Sequence, residues 1–475
     1  QANALDADKQ SLELLRRTGV SPVSIQKPNA PTGGPDVPPV SGQTPSALDV
    51  FNTSSWERAD LVTLSAEISK GRDRVTDAKG KSVASQRLST GELVFLARSV
   101  PALGARRYHL ESGASPANSK LKVTDNEISS PEFIVRISRR SGEIESLFSR
   151  ALKKELAADK SPDRLNSYFY LPGSDLNGLK RNAPVKISVK ESGPVFASLL
   201  VESEAPGCQR LAREVRVIAG LDQVDIIDLV DKQAVRAKEG VHFGFNFNVP
   251  NPAVSMDVPW AVVRPEIDQV PGACKNWFTV QRWVDIANKD YGVTWATPDA
   301  PLVEIGGITA NLIGSLSDPK VWMDHIRPSQ TIYSWAMNNH WHTNYRAEQD
   351  GPTVFRYSIR PHKSVPQDAA ARFGIACAQP LLAAPARNDP PALSRLQISP
   401  ANVLVSTLKP SDDGKALILR LFETAGKPSR ARITWSAPLP TEIWVSNAGE
   451  KPVSRVSGAV DLPAYGLVTL RADLP

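Results

Sequence analysis

The chain has 475 residues, 41% hydrophobic, 22% charged and 7% aromatic, with 39 Pro against 29 Gly, enough for two to four domains with sizeable cores. This composition excludes a collagen-like, wholly disordered or small disulfide-stapled protein, and no run of about 18 apolar residues exists to form a membrane-spanning helix. The net charge of +6 comes from 56 basic and 50 acidic residues interspersed along the sequence. The densest basic clusters, Arg136 with Arg139 and Arg140, or Lys153 with Lys154, are too short for the stripe of a nucleic-acid binder.

Residues 6–19 carry a short helical pattern, with Leu12, Leu14 and Leu15 ahead of Arg16 and Arg17, closed by Gly19. From Ser21 to Pro45 the chain turns to Pro, Gly, Ser and Thr, which cannot bury enough apolar surface to fold alone. From Ala47 onward the pattern is β. Alternating or β-branched runs recur at Leu61–Leu64, Glu92–Leu96, Phe133–Ile137, Val185–Val189, Phe196–Val201, Val215–Val217 and Val224–Leu229, each bounded by turn residues. Frequent strands with few helices between them predict sandwiches rather than βαβ units. Glu143–Ala157 reads as a helix, or as a hairpin turning at Gly142 and Glu143. A Pro-rich break over Gln379–Pro391 precedes a last strand-rich block, Leu396–Leu474. The expected layout is a helix and linker over 1–45, a small β-domain over 46–110, a large β-sandwich over 111–385 and a C-terminal β-domain over 386–475.

Cys208, Cys274 and Cys377 are too few for a disulfide framework and match no zinc knuckle. Cys208 and Cys274 stand in similar loops, which fits one disulfide or two free thiols. No signal segment is present at Gln1, which fits a cytosolic or an exported mature protein; the periplasm or the exterior is the expected location.

The densest chemistry lies in Thr331–Arg346, TIYSWAMNNHWHTNYR. On a strand, parity sorts the side chains. Odd positions give Tyr333, Trp335, Met337, Asn339, Trp341, Thr343 and Tyr345; even positions give Ser334, Ala336, Asn338, His340, His342, Asn344 and Arg346. Amides, imidazoles and a guanidinium suit the donor and acceptor character of sugar hydroxyls, and a bulge would invert the parity beyond it. His340 and His342 stand at a spacing that permits two metal ligands, but no third is evident. Segment LNSYFYLPG places Asn166, Tyr168 and Tyr170 on one parity, as sugar contacts, a general base or plain sandwich-edge tyrosines. Arg356, Arg360 and His362 share the even face of FRYSIRPH.

Hydrolysis needs two carboxylates across the scissile bond, and context singles out no pair from Asp175, Asp257, Asp285, Glu348 and Asp350. A phosphate loop, a GxSxG elbow and an HExxH motif are all absent.

VFNTSSWERADLV, RISRRSGEIESLFSR, LNSYFYLPG, REVRVIAGLDQVDIIDLVD and above all SWAMNNHWHTNY with RYSIRPH give the chain a resemblance over about residues 46–380. It resembles the β-rich C-terminal region of glycoside hydrolase family 38, the α-mannosidases. The resemblance implies an all-β, multi-domain arrangement around a galactose-mutarotase-like supersandwich. It also implies a zinc-dependent catalytic domain, N-terminal in the family, whose HxD motif has no match here; neither the zinc nor catalytic residues carry over onto this chain. Three readings follow: the C-terminal part of a mannosidase-like hydrolase, with the catalytic domain on a separate polypeptide or cleaved off; a stand-alone carbohydrate-binding module; or a lyase or epimerase using Tyr or His. The expected partner is carbohydrate, bound by Asn338, His340, His342 and Asn344, with Arg360 and Tyr170 beside them.

Overall fold

The computed structural model describes residues 45–115, 119–159, 163–309, 322–340, 348–363, 367–386, 391 and 393–475. The helix expected over residues 6–19 and the linker after it lie outside the described residues. Those described form two compact units: one of the residues up to Ser119 with Gly193–Val195 and Pro380–Gln397, the other of Lys120–Ser192, Phe196–Gln379 and Ile398–Pro475. The architecture is all-β, and every strand pairing described is antiparallel.

The first unit pairs a five-stranded sheet, ordered Leu382–Pro385, Ala47–Asn52, Gly104–Glu111, Arg74–Asp77, Ser82–Val83, with a three-stranded sheet of Arg58–Leu64, Leu93–Val100 and Ser85–Arg87. Alternation drives it: Leu48 and Val50 bury against Phe95, Tyr108 and Leu110, while Asp49 points the other way and takes Arg107 in a two-pronged ion pair of 2.8 and 3.0 Å. The edge strand Leu382–Pro385 falls in the part of the sequence that reads as the end of the large sandwich, yet it pairs with Ala47–Asn52.

In the second unit, a ten-stranded sheet runs through Leu302–Ile305, Thr331–Asn339, Glu239–Asn246, Leu165–Pro172 and Ile144–Ser149, and a nine-stranded sheet through Cys208–Ile218, Val224–Lys232, Gly351–Lys363 and Tyr291–Ala296. Their inner faces share one core, in which Phe245 packs 5.1 Å from both Trp295 and Tyr357. Glu143–Ala157 is not helical. Gly142, at φ 73°, turns the chain into the strand Ile144–Ser149, and a Cβ there would sit 2.4 Å from Val201. The helix Gln367–Ala378, for which the sequence shows no clear pattern, buries Ala370 and Phe373, and Gly374 lets it approach Trp283. A five-stranded sheet, ordered Val403–Pro410, Ala416–Glu423, Leu467–Asp473, Glu442–Ser446, Pro452–Arg455, makes most of the C-terminal module.

Candidate functional site

The strand Thr331–Asn339 lies between Leu302–Ile305 and Glu239–Asn246, and its register carries a bulge: Trp335 faces His242 and Met337 faces Val241, leaving Ala336 as the extra residue. Ile332 and Met337 therefore both reach the core, and Ser334 takes the Tyr357 hydroxyl at 2.9 Å inside it. Tyr333 and Trp335 turn to the outer face, which Asn338 joins beyond the bulge. The continuous even-numbered polar face is thus interrupted, because two residues oppose one at the bulge. His342 and Asn344 lie outside the described residues.

A cluster forms on this outer face. His242 Nε2 lies 3.0 Å from Glu304 Oε2, both side chains fully buried. The His242 ring is parallel to Trp335 at 6.1 Å, and Trp277 and His340 meet Trp335 at 6.1 and 6.0 Å. Glu304 is anchored by the Thr309 N–H at 2.8 Å. His340 is 3% exposed. Burial, with Lys238 and His242 nearby, brings its imidazole down to about 4, so it is neutral at pH 7. Its two ring nitrogens, His242 Nδ1 and Trp335 Nε1 are buried without a hydrogen-bond partner among the described residues. Such atoms cost about 1–3 kcal/mol each unless satisfied, and a neutral imidazole with an indole N–H can satisfy a hydroxyl or a water. His242, Glu304 and Trp277 escaped sequence reasoning; the one available signal is a lone acid inside the apolar strand LVEI.

Tyr170 lies elsewhere. It packs in the core between the sheets, across the ten-stranded sheet from His340. Its hydroxyl donates to Glu239 Oε2 at 2.8 Å, and Glu239 pairs with Lys232 at 2.7 Å, both nearly fully buried. Burial first, then Glu239, raises the phenol well above its usual value. Tyr168 is raised likewise, chiefly by burial, and donates to the Pro206 carbonyl. Neither tyrosine is poised as a base. Asn166 donates to Asp228 at 2.9 Å within the same interior.

Arg360 belongs to the nine-stranded sheet, its guanidinium 4.3 Å above the Phe373 ring of the helix Gln367–Ala378. Arg356 and His362 share its face, opposite the core residues Phe355, Tyr357 and Ile359. Arg356 grips Asp299 through two bonds of 2.7 Å. His362 Nε2 lies 2.8 Å from Asp285, which also accepts from Thr294. Burial opposes charge on His362, yet Asp285 and the Lys363 carbonyl raise it on balance. The structure thus brings Asn338 and His340 to one face and separates both Arg360 and Tyr170 from them.

The hydrolytic carboxylates considered from sequence have structural partners: Asp257 accepts the Arg282 and Trp283 N–H groups, Asp175 caps Asn177, and Glu348 pairs with Arg236. Among the described residues, no three His, Cys, Asp or Glu side chains converge as a metal site, and Cys208, Cys274 and Cys377 are not joined in disulfides.

Residues 128–299 match the family model of the glycosyl hydrolases family 38 C-terminal domain, and residues 402–470 that of the glycosyl hydrolases family 38 C-terminal beta sandwich domain. Together they cover just over half of the chain. No curated protein matches the sequence significantly. An alpha-mannosidase from Enterococcus faecalis V583 is similar in structure, with a TM-score of 0.67 at 13% identity over 90% of this chain and 56% of its own. A protein in the glycosyl hydrolase family 38 from Enterococcus faecalis gives 0.69 at 14% identity, over 91% and 58%. A galactose mutarotase-like protein from Lactobacillus casei ATCC 334 aligns over 50% of this chain and 99% of its own at 12% identity, with a TM-score of 0.28, too low to bear on the fold. The chain spans less than two thirds of the length of the two Enterococcus neighbours, and at such identities the likeness concerns fold alone.

Proposed function

Because this chain belongs to glycosyl hydrolase family 38, as its C-terminal β-region, we propose that it is the sugar-facing scaffold of an α-mannosidase-like hydrolase. In this reading the zinc-dependent catalytic domain lies outside these 475 residues, on a separate polypeptide or on a neighbouring stretch of the same one. The observation that carries it is the pair of family matches, one on the large sandwich and one on the C-terminal module. The described residues do not fit the zinc: no three His, Cys, Asp or Glu side chains converge, and the His340 ring packs against Trp335 at 6.0 Å. Their part is to bind and orient. We place Asn338 and His340 at the border of the sugar cleft, with His342 and Asn344, which lie outside the described residues, as further contacts expected from the sequence. Arg360 and Tyr170 serve the frame of the sandwich instead.

The test uses material isolated from its native source, measured for intact mass and for hydrolysis of 4-nitrophenyl α-D-mannopyranoside. The expected outcome is a catalytic partner or extension, zinc-dependent hydrolysis, and a His340→Ala variant whose kcat/KM falls about tenfold, equivalent to about 1.4 kcal/mol. A native species with no such partner or extension and no mannosidase activity overturns the proposal. So does an assembled enzyme indifferent to His340→Ala.

A further inference from the structure

The C-terminal five-stranded sheet carries a groove of about 540 Å³, lined by Glu442, Trp444, Lys451, Pro452, Arg471 and Asp473 with the turns at Asp412, Asp413 and Gly449–Glu450. This falls in the size range of small-molecule sites, roughly 300–1,000 Å³. Register explains how it forms: Trp444 lies directly opposite Arg471, and Glu442 opposite Asp473. Leu470 and Ala472 alternate to the buried side. The polar floor is held rigid. Asp473 accepts the Trp444 indole N–H at 3.1 Å and Arg471 Nε at 2.8 Å, and the far end of Arg471 reaches Asp413 at 2.8 Å. Asp412 and Glu450 at the rim are tied together by Lys409 and by the Asp412 N–H.

We propose that this groove is a second binding site, for a neutral oligosaccharide. Charge decides the class. Five carboxylates, Asp412, Asp413, Glu442, Glu450 and Asp473, and two cations, Lys451 and Arg471, line it; Lys409 pairs with Asp412 and Glu450, and Arg455 with Glu442, so the charges nearly balance and an anion finds no unopposed cation to bind. A cation would have to settle beside Arg471 and Lys451. A sugar meets neither objection: each hydroxyl both donates and accepts, and the carboxylates of Asp413 and Asp473, held by Arg471, keep lone pairs to accept from it. Trp444 adds an amphipathic surface for the apolar face of a pyranose. The orienting ion pairs are already made in the free protein, so little ordering cost remains. This site stands on a different module from the Trp335 cluster and does not depend on the mannosidase reading.

The experiment is calorimetric titration of the full chain with mannotriose, maltotriose and cellotriose, and with spermidine as the cationic control. Saturable binding of at least one triose is expected below about 20 mM, weakened about tenfold or more by Trp444→Ala, kept largely by Trp444→Phe, and weakened about threefold by Glu442→Gln. Thermal melts check each variant; should Trp444→Ala not fold, the Phe and Gln variants decide. No triose binding, binding unchanged by these substitutions, or binding of spermidine in preference to every triose overturns the proposal. The assay involves no hydrolysis, so its failure and the failure of the mannosidase reading are separately visible.

Discussion

His340 and His362 sit on different sheets of the same unit and meet opposite fates. His362 has a carboxylate, Asp285, 2.8 Å away, and gains affinity for its proton despite burial. The His340 ring has no hydrogen-bond partner among the described residues, packs against Trp335 with Lys238 and His242 nearby, and loses its proton down to about 4. On the outer face of the nine-stranded sheet Glu214 bridges Arg216 and Lys190, and although burial opposes this, the two cations hold its carboxyl at about 2. On the outer face of the ten-stranded sheet, ring nitrogens of His340, His242 and Trp335 have no hydrogen-bond partner among the described residues. A self-satisfied face serves stability, whereas one that keeps unspent hydrogen-bonding capacity is where a ligand has something to gain.

The contrast breaks most sharply at Glu304. Glu304→Ala removes the acceptor of the Thr309 N–H and strands His242 in a dry site. It should cost about 3 kcal/mol or more in urea unfolding, and a loss below about 1 kcal/mol would show that the cluster rearranges freely.

The next effect is an acid arm. With His340 near 4 in the native state and about 6.5 unfolded, the unfolded chain binds the extra proton. Stability should therefore fall as pH drops from about 6.5 towards 4, by about 2 kcal/mol between pH 8 and pH 5. His340→Gln should flatten that arm; an unchanged profile would place its cause elsewhere.

The smallest effect has the opposite sign. His362 is raised in the fold, so its contribution is complete below the unfolded value and fades as pH climbs through the native one. Asp285→Asn should cost about 1 kcal/mol at pH 6 and less at pH 8, read from melting temperatures at the two pH values.

Sequence patterns revealed the strands best where alternation is strict. Val224–Lys232 buries every second residue, and its stretch Val224–Leu229 is legible in the sequence although the inward residue Asp228 is charged. Glu143–Ala157 misleads because its apolar spacing suits a helix as well as a hairpin, and Gly142, whose left-handed φ decides the matter, is only one residue. The helix Gln367–Ala378 was hidden by its Ala-rich, weakly patterned face. At the site, parity sets His340 on the face opposite Trp335, and it is the bulge at Ala336, which nothing in SWAMNN marks, that brings the two rings together. His242 and Glu304 come from strands distant in sequence, and their meeting is a product of sheet order alone.

The strand Leu382–Pro385 closes one side of Ala47–Asn52 although nearly all of the large sandwich separates them in the chain. During synthesis, the small unit must therefore wait with an open edge until the ribosome has delivered the sandwich that interrupts it. The order of completion is the reverse of the order of translation, and an exposed strand edge in that interval is a template for unwanted pairing. A nascent chain stalled before residue 382 should be the species that most needs a chaperone.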